Sequence, residues 1–360
     1  MGNSAPVANR TPGPAPGPTD PRDPAVPADP ALGVAGDQVP RGVLVLGMHR
    51  SGTSAVAGLL HLLGLASCVP DDLITGMAWN PRGHWESRSL SRLNEHLLGD
   101  MGHAWWYPPP VGSSAGPANA EPADRITIPP AEAAAAFDRA HPTEPWFWKD
   151  PRNCLTLPYW RRALDRPVAA VIVFRHPLDV ATSLEYRNSL SVPFGLALWE
   201  RYNRLLLEHA GGMPVLLTSY DDLIGDPVGW SVGAAGFLAG LGFEPRTGTE
   251  DEVRRFVDPE LRHSHRGTGA AATAVPTGSG PVGATAVLGA LRAEVGLHRS
   301  FEPPALPSED PEVEAVLRSR WPDRPPGWNE PPWAVADGSG AGRPPASGRR
   351  QRAADRGPPA

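Results

Sequence analysis

The chain has 360 residues, a formal net charge of −6 and a pI near 6.0. That length holds one large domain or two small ones, and that charge argues against a general nucleic-acid surface. Two cysteines, Cys68 and Cys154, allow one disulfide and exclude the framework of a small secreted protein.

Residues 1–41 are rich in Pro, Ala, Gly and Asp and almost free of large apolar side chains. Such a segment cannot offset its ordering entropy and reads as a disordered tail. Its start, MGNSAP, begins like a myristoylation signal, but Pro6 stands where Ser or Thr is wanted. The first residues lack a basic stretch followed by an apolar one, so no signal peptide is expected. No run of about 18 apolar residues occurs, so no membrane span is expected. The expectation is a cytoplasmic protein in a reducing compartment.

Beyond the tail, apolar runs alternate with helical patterns. Val43 to Leu46 reads as a buried strand. It runs into Gly47 to Ser54 (GMHRSGTS) and then a helix with Leu59, Leu60 and Leu63 on its apolar face. Leu65 to Val69 reads as a further strand. Leu90, Leu93 and Leu97 recur at helical spacing after Glu86, and 107–123 is a proline-rich loop. Trp146 to Trp148 is a short strand, followed by Lys149 to Arg152 (KDPR). Val168 to Phe174 is the longest strand, followed by Arg175-His176-Pro177 and a helix from Asp179 towards Tyr186. A helix covers about 194–210, Pro214 to Thr218 is the fifth strand, and 230–241 is a last core helix. Residues 267–284 read as a flexible insert. Residues 335–360 read as a second disordered tail, ending in Arg349, Arg350, Arg352 and Arg356. Short strands alternating with helices predict an α/β fold with a mainly parallel sheet.

In such sheets ligands bind beyond the carboxyl ends of the strands. GMHRSGTS, KDPR, RHP and SYDD each follow a strand, so four polar clusters should meet at one crevice. The first has the spacing G-x-x-x-x-G-x-[ST] of a phosphate loop, with Thr53 where the usual lysine stands. Its glycines let amides close on an anion, and the following helix adds its positive end. Arg50, Ser51, Thr53 and Ser54 supply further donors. A nucleoside triphosphate with Mg²⁺ needs the missing lysine and a carboxylate at a strand end. The longest strand ends instead in Phe174-Arg175. The loop therefore suits a nucleotide with a 5′-phosphate and no γ-phosphate. Arg175 offers a planar fork for another phosphate or serves in a surface salt bridge, and Ser183 approaches the same anion or is an ordinary helical serine.

GMHRSGTS, KDPR, RHPLDVATS and YDDL in this order resemble the sulfotransferase family that uses 3′-phosphoadenosine 5′-phosphosulfate. The variety resembled is bacterial, with Asn80 to Glu86 (NPRGHWE) after the first helix and Asp258 to His263 (DPELRH) late in the chain. The resemblance spans about residues 42–262. It implies a P-loop nucleotide-kinase-like three-layer α/β/α fold with a central, mainly parallel five-stranded sheet. It places a catalytic domain over 42–330, with the insert at 267–284. By resemblance Gly47, Arg50, Ser51, Gly52, Thr53 and Ser54 hold the 5′-phosphosulfate. Arg175 and Ser183 hold the 3′-phosphate, Tyr220 lies near the adenine, and Lys149 neutralises the sulfuryl group or bridging oxygen. No metal is expected.

Transfer to an alcohol also needs a base. Glu86 matches the family position of a catalytic glutamate and stands beside Trp85; equally, it could begin the helix over 86–99. Asp150, His84 and His103 are reserves, and Asp150 could instead orient Lys149 or Arg152. Trp105, Trp106 and Tyr107 could stack on an acceptor or pack in the core. Arg262, His263, His265 and Arg266 could close over the 3′-phosphate or form a solvated turn. The acceptor is a hydroxyl compound: a sugar, glycolipid, peptide or secondary metabolite. Two competing expectations are a non-catalytic nucleotide-binding module of the same fold and a P-loop kinase.

Overall fold

Residues 43–46, 146–148 and 169–174 are apolar without alternation, the pattern of strands covered on both faces. The computed structural model describes residues 39–74, 83–112, 126–246, 248–257 and 283–319. Its five strands are β1 (Gly42–Leu46), β2 (Trp146–Lys149), β3 (Ala169–Phe174), β4 (Val215–Ser219) and β5 (Gly296–His298). Their order in the sheet is β2-β1-β3-β4-β5. The first four are parallel, with Val43 beside Phe147 on one side and Ala169 on the other; β5 joins β4 antiparallel.

Side chains of a strand point alternately to opposite faces, and here that parity divides two cores. Leu44, Leu46, Trp146, Trp148, Ala170 and Ile172 join one. Val43, Val45, Phe147, Ala169, Val171 and Val173 join the other. The second face is covered by α1 (Thr53–Leu62), α7 (Tyr220–Gly225), α8 (Pro227–Gly240) and α9 (Glu250–Phe256). The first is covered by α2 (Arg88–Asp100), α3 (Pro130–Ala140), α4 (Asn153–Leu164), α5 (Pro177–Asn188) and α6 (Val192–His209). There α10 (Gly283–Ala293) and α11 (Pro311–Ser319) complete it, so apolar residues as late as Leu317 belong to the core. The result is the three-layer α/β/α arrangement around a mainly parallel five-stranded sheet.

One strand differs from the sequence reading. Leu65 to Val69 forms no strand; Ala66 makes one isolated bridge to Trp146, and Pro70–Asp72 then turns as a 3₁₀ segment. Pro70 fixes φ at the start of that turn and ends the extended run. The fifth strand is instead Gly296–His298, three part-exposed residues with no β-branched side chain to mark them. Residues 1–38 of the first tail, the second tail, the segment Asp258 to His263 and most of the insert at 267–284 lie outside the described residues. Among the described residues no helix is long and apolar enough to cross a membrane.

The topology places the site. From β1 the chain crosses to β2 on one side, then back past β1 to β3, so the crevice opens between the carboxyl ends of β1 and β3. Helix α5, which leaves β3 there, packs closely on α6 through Gly195. A Cβ at Gly195 would lie 2.8 Å from the Ala181 Cα. Backbone stands in the way, and it cannot swing aside as a side chain would. Gly195→Ala should therefore destabilise the fold by about 1–3 kcal/mol, the usual cost of overpacking. Urea unfolding measures it, and an unchanged midpoint would mean that α5 and α6 do not approach so closely.

Candidate active site

The turn after β1 is built by three constraints on the backbone. At Gly47 an added Cβ would stand 2.4 Å from the Val173 carbonyl oxygen, so only glycine lets β1 leave the sheet beside β3. Gly52 has φ 98°, and a Cβ there would meet the Tyr220 ring at 2.2 Å. Arg50 between them also has positive φ, 70°. The Gly47 amide donates to Cys154 Sγ at 3.2 Å, and the Ser51 amide to the Met48 carbonyl at 3.2 Å.

This cradle holds donors that the protein does not use. Ser51 is fully buried and its hydroxyl has no partner among the described residues. Helix α1 begins at Thr53 without a side-chain cap; the Ala55 amide donates to the Gly52 carbonyl at 2.9 Å, and the Thr53 and Ser54 amides ahead of it face the turn. Thr53 is buried and Ser54 half-buried beside it. A buried hydroxyl and an uncapped helix start at a glycine turn fit an anion with several oxygens.

Arg50 reaches out of the cradle, and its Nε donates to Ser183 Oγ of α5 at 2.8 Å. No carboxylate lies within ion-pair distance of it among the described residues. Burial, with Arg187 and Arg175 nearby, lowers its pKa to about 10. A buried guanidinium pushed down by its own kind is a seat for negative charge. Arg175 follows β3, with its guanidinium 4.9 Å from the Tyr220 ring centroid and its Nε 3.6 Å from Asp179 Oδ2. The Trp199 indole N–H donates to its carbonyl at 3.0 Å, which fixes the backbone. All the residues expected at the two phosphates therefore meet at one place. Arg50 bridges the two sets rather than serving the first alone.

On the other side of the turn lies Glu86. Trp85 has φ 59°, a sharp reversal that separates the two side chains. Trp85 packs against His61 and Phe147, with ring centroids 5.0 and 6.0 Å away. Glu86 turns inward, only 4% exposed, and forms a close ion pair with Lys149 at the end of β2. Arg152 Nη1 lies 3.9 Å from its second oxygen. Glu86 is not part of the helix: α2 begins at Arg88, and Ser87 caps it by accepting from the Leu90 amide at 3.1 Å.

A small recess opens beside this pair. Glu86 and His84 line it from one side and His49 from the glycine turn. Trp105 and Arg152 add to it, and α5 closes it with Leu184, Arg187 and Asn188. Since His49 belongs to the same turn as Arg50 and Ser51, the anion cradle and the recess abut.

The reserves for the base separate by their surroundings. Asp150 is fully buried, and its oxygens accept from Ser91 Oγ (2.9 Å), Asn94 Nδ2 (3.1 Å), the Arg152 amide (2.9 Å) and Arg152 Nη1 (3.0 Å). It orients Arg152, the alternative stated for it. His103 stacks near Tyr107 at 5.5 Å and is not among the residues lining the recess. His84 does line it, with its pKa lowered to about 3 by burial and by Lys149, Arg187 and Arg50. The aromatic pair divides: Trp105 faces the recess, and Trp106 is 2% exposed in the main core. Arg262, His263, His265 and Arg266 lie outside the described residues, as do Asn80 to Arg82. The sequence reading missed His49 and Arg187. The signal for Arg187 is its spacing four residues after Ser183, one helical turn along the same face.

No family model and no curated protein matches the chain. Among solved structures it is similar to the sulfotransferase domain of the Synechococcus PCC 7002 olefin synthase, at 16% identity and a TM-score of 0.33, covering 79% of this chain and 96% of that one. It is also similar to a sulfotransferase domain from the curacin biosynthetic pathway, at 12% identity and a TM-score of 0.34, covering 78% and 98%. Overlaps this loose carry no argument, and the functional reading rests on the chain's own residues.

The depressed His84 has a consequence for stability. Its folded pKa lies below the ordinary 6.5, so the unfolded chain takes up a proton that the folded chain refuses. That contribution is whole above about pH 6.5 and is lost as the pH falls towards 3. His84→Asn should therefore lose stability less steeply between about pH 6 and 4, by up to about 1.4 kcal/mol per pH unit. Urea titrations across that range would show it; parallel slopes for the two proteins would mean that His84 is solvated.

Proposed function

We propose that the chain is a sulfotransferase, transferring a sulfuryl group from 3′-phosphoadenosine 5′-phosphosulfate to an alcohol with Glu86 as base. The observation that carries this is one piece of geometry. Glu86, paired with Lys149, lines a small recess, and that recess abuts a cradle where, among the described residues, the Ser51 hydroxyl lacks a partner and Arg50 lacks a carboxylate. A kinase would need the loop lysine and a metal-binding carboxylate after β3, where this chain has Thr53 and Arg175.

The donor supplies an activated sulfuryl group joined to a phosphate that departs. In this reading Ser51, Thr53, Ser54 and the first amides of α1 bind its 5′ end. Arg175 and Ser183 bind the 3′-phosphate that tells it from ATP and AMP, and Tyr220 flanks the adenine. Glu86 accepts the acceptor's hydroxyl proton as the new oxygen–sulfur bond forms. Lys149, released from Glu86 as that carboxylate is protonated, offsets charge at the transferring group, and Arg50 does the same from the cradle. The recess holds the alcohol in line with the leaving oxygen, the main service a protein renders to such a transfer.

Calorimetry with 3′-phosphoadenosine 5′-phosphate, ATP and AMP, without Mg²⁺, tests the donor. The first should bind tightest. Equal or ATP-favoured binding would withdraw the reading. Arg175→Ala should weaken binding of 3′-phosphoadenosine 5′-phosphate by about tenfold or more, as loss of a charge-assisted contact implies. Glu86→Gln should leave that affinity intact and cut turnover by about 10²–10⁴-fold. Normal turnover in the Gln variant would point to His84, or to a nucleotide-binding module without catalysis if the parent too is inactive.

A further inference from the structure

Neither the phosphate contacts nor the base gives a task to His49, yet its position is singular. Of the described residues that line the recess, it alone comes from the glycine turn. It lies between Met48, whose carbonyl accepts from the Ser51 amide at 3.2 Å, and Arg50, which reaches Ser183 at 2.8 Å. A group moving from the cradle into the recess would pass this ring.

The ring is held in place, and its polar edge is left over. Trp105 flanks it with centroids 4.9 Å apart and planes tilted by 56°. Tyr202 meets it edge-on at 5.9 Å. The Tyr202 hydroxyl donates to the Trp105 carbonyl at 2.8 Å, which ties the two flanking residues together. Between them the His49 Nε2 is buried and has no hydrogen-bond partner among the described residues. A buried polar atom without a partner costs stability, and an apolar side chain would fill the same gap without that cost.

Charge narrows the use of that atom. Burial first, then Arg152, Lys149, Arg187 and Arg50, hold the imidazole's pKa well below its ordinary value, so the ring is neutral near pH 7. A neutral imidazole keeps one N–H to donate and adds no further charge to a site crowded with cations. In that form a histidine polarises an oxygen instead of carrying a proton. It would be a weak base, and in the sulfuryl-transfer reading that task belongs to Glu86.

We propose that His49 seats the sulfuryl group of the donor: its neutral imidazole donates a hydrogen bond to a sulfuryl oxygen where the cradle opens into the recess. The proposal rests on the sulfuryl-transfer reading. During transfer the bond from sulfur to the phosphate oxygen breaks, and the phosphate leaves with the electron pair. The bond from sulfur to the acceptor oxygen forms, and the hydroxyl proton goes to Glu86. His49 gains and loses no proton. It offsets the negative charge spread over the sulfuryl oxygens.

The donor with and without its sulfuryl group supplies a test that needs no acceptor. Calorimetry on the full chain compares 3′-phosphoadenosine 5′-phosphosulfate with 3′-phosphoadenosine 5′-phosphate in the parent, His49→Met and His49→Gln. His49→Met should weaken binding of the phosphosulfate by about tenfold relative to the phosphate, as loss of a hydrogen bond to a charged group implies. His49→Gln returns an amide N–H and should restore part of that difference. His49→Leu replaces the Met variant should that fail to fold. The urea midpoint of His49→Met should equal or exceed the parent's, because a buried nitrogen without a partner is removed. A residue that only packs between Trp105 and Tyr202 would instead lower the midpoint and weaken both nucleotides alike, which overturns the proposal. An unchanged ratio of the two affinities in His49→Met also overturns it, and leaves the sulfotransferase reading standing. A parent that binds neither nucleotide overturns both.

Discussion

Arg152 is a charged group with almost no exposure, and the site takes its shape from what that costs. A guanidinium buried without partners is expensive, so the chain brings carboxylates to it from separate elements. Asp150 comes from the end of β2, Glu95 from α2 and Glu86 from the segment before α2. Asp150 is held in turn by Ser91 and Asn94 of α2. Asn94 also donates to Asn153 and accepts from Thr156 and the Trp160 indole of α4. A polar network so densely connected fixes the relative position of β2, α2 and α4. Removing one partner would leave buried charge unpaired, which costs about 3–5 kcal/mol in comparable cases. Glu86 thus faces Lys149 at a set distance because its neighbours are committed elsewhere.

The sheet was legible in the sequence because strands buried on both faces leave unbroken apolar runs. VLVL, WFW and AAVIVF need no partner to be recognised. The clusters following them were legible for the same reason, since polar residues at strand ends in a parallel sheet have few structural uses. β5 was not legible: three residues, one of them glycine, carry no pattern, and their pairing depends on β4 alone. Helix α4 was hidden by Pro158 in its interior and by the polar start it shares with KDPR. Helices α10 and α11 become visible only through the core they cover, where Val287, Leu291, Val313 and Leu317 are all buried.

Within the site, the residue types were readable and their relations were not. For Glu86 the sequence left a candidate base and a helix-start acid equally open; Ser87 proves to be the cap, and Trp85 takes the sharp turn. Arg50 and Ser183 were read as serving different phosphates, and they are hydrogen-bonded to each other. Spacing along a chain sets which helix face a residue occupies. It does not set which neighbour that face meets.

The wall of the recess shows how far such relations reach. Trp105 is carried by a short turn with no helix or strand of its own, yet its position is fixed from the far end of the chain. Arg201 of α6 donates to the carbonyls of Pro108 and Pro109 at 3.3 and 3.2 Å, and also to Glu309 and to Glu314 of α11. Tyr107 donates to the same Glu314, and Tyr202, next along α6, donates to the Trp105 carbonyl at 2.8 Å. The ring of Tyr202 in turn meets His49 in the glycine turn. One helix therefore ties the recess wall, the glycine turn and the last described helix into a single frame. That side of the recess cannot loosen without disturbing α6, and α6 is among the most deeply buried of the described helices.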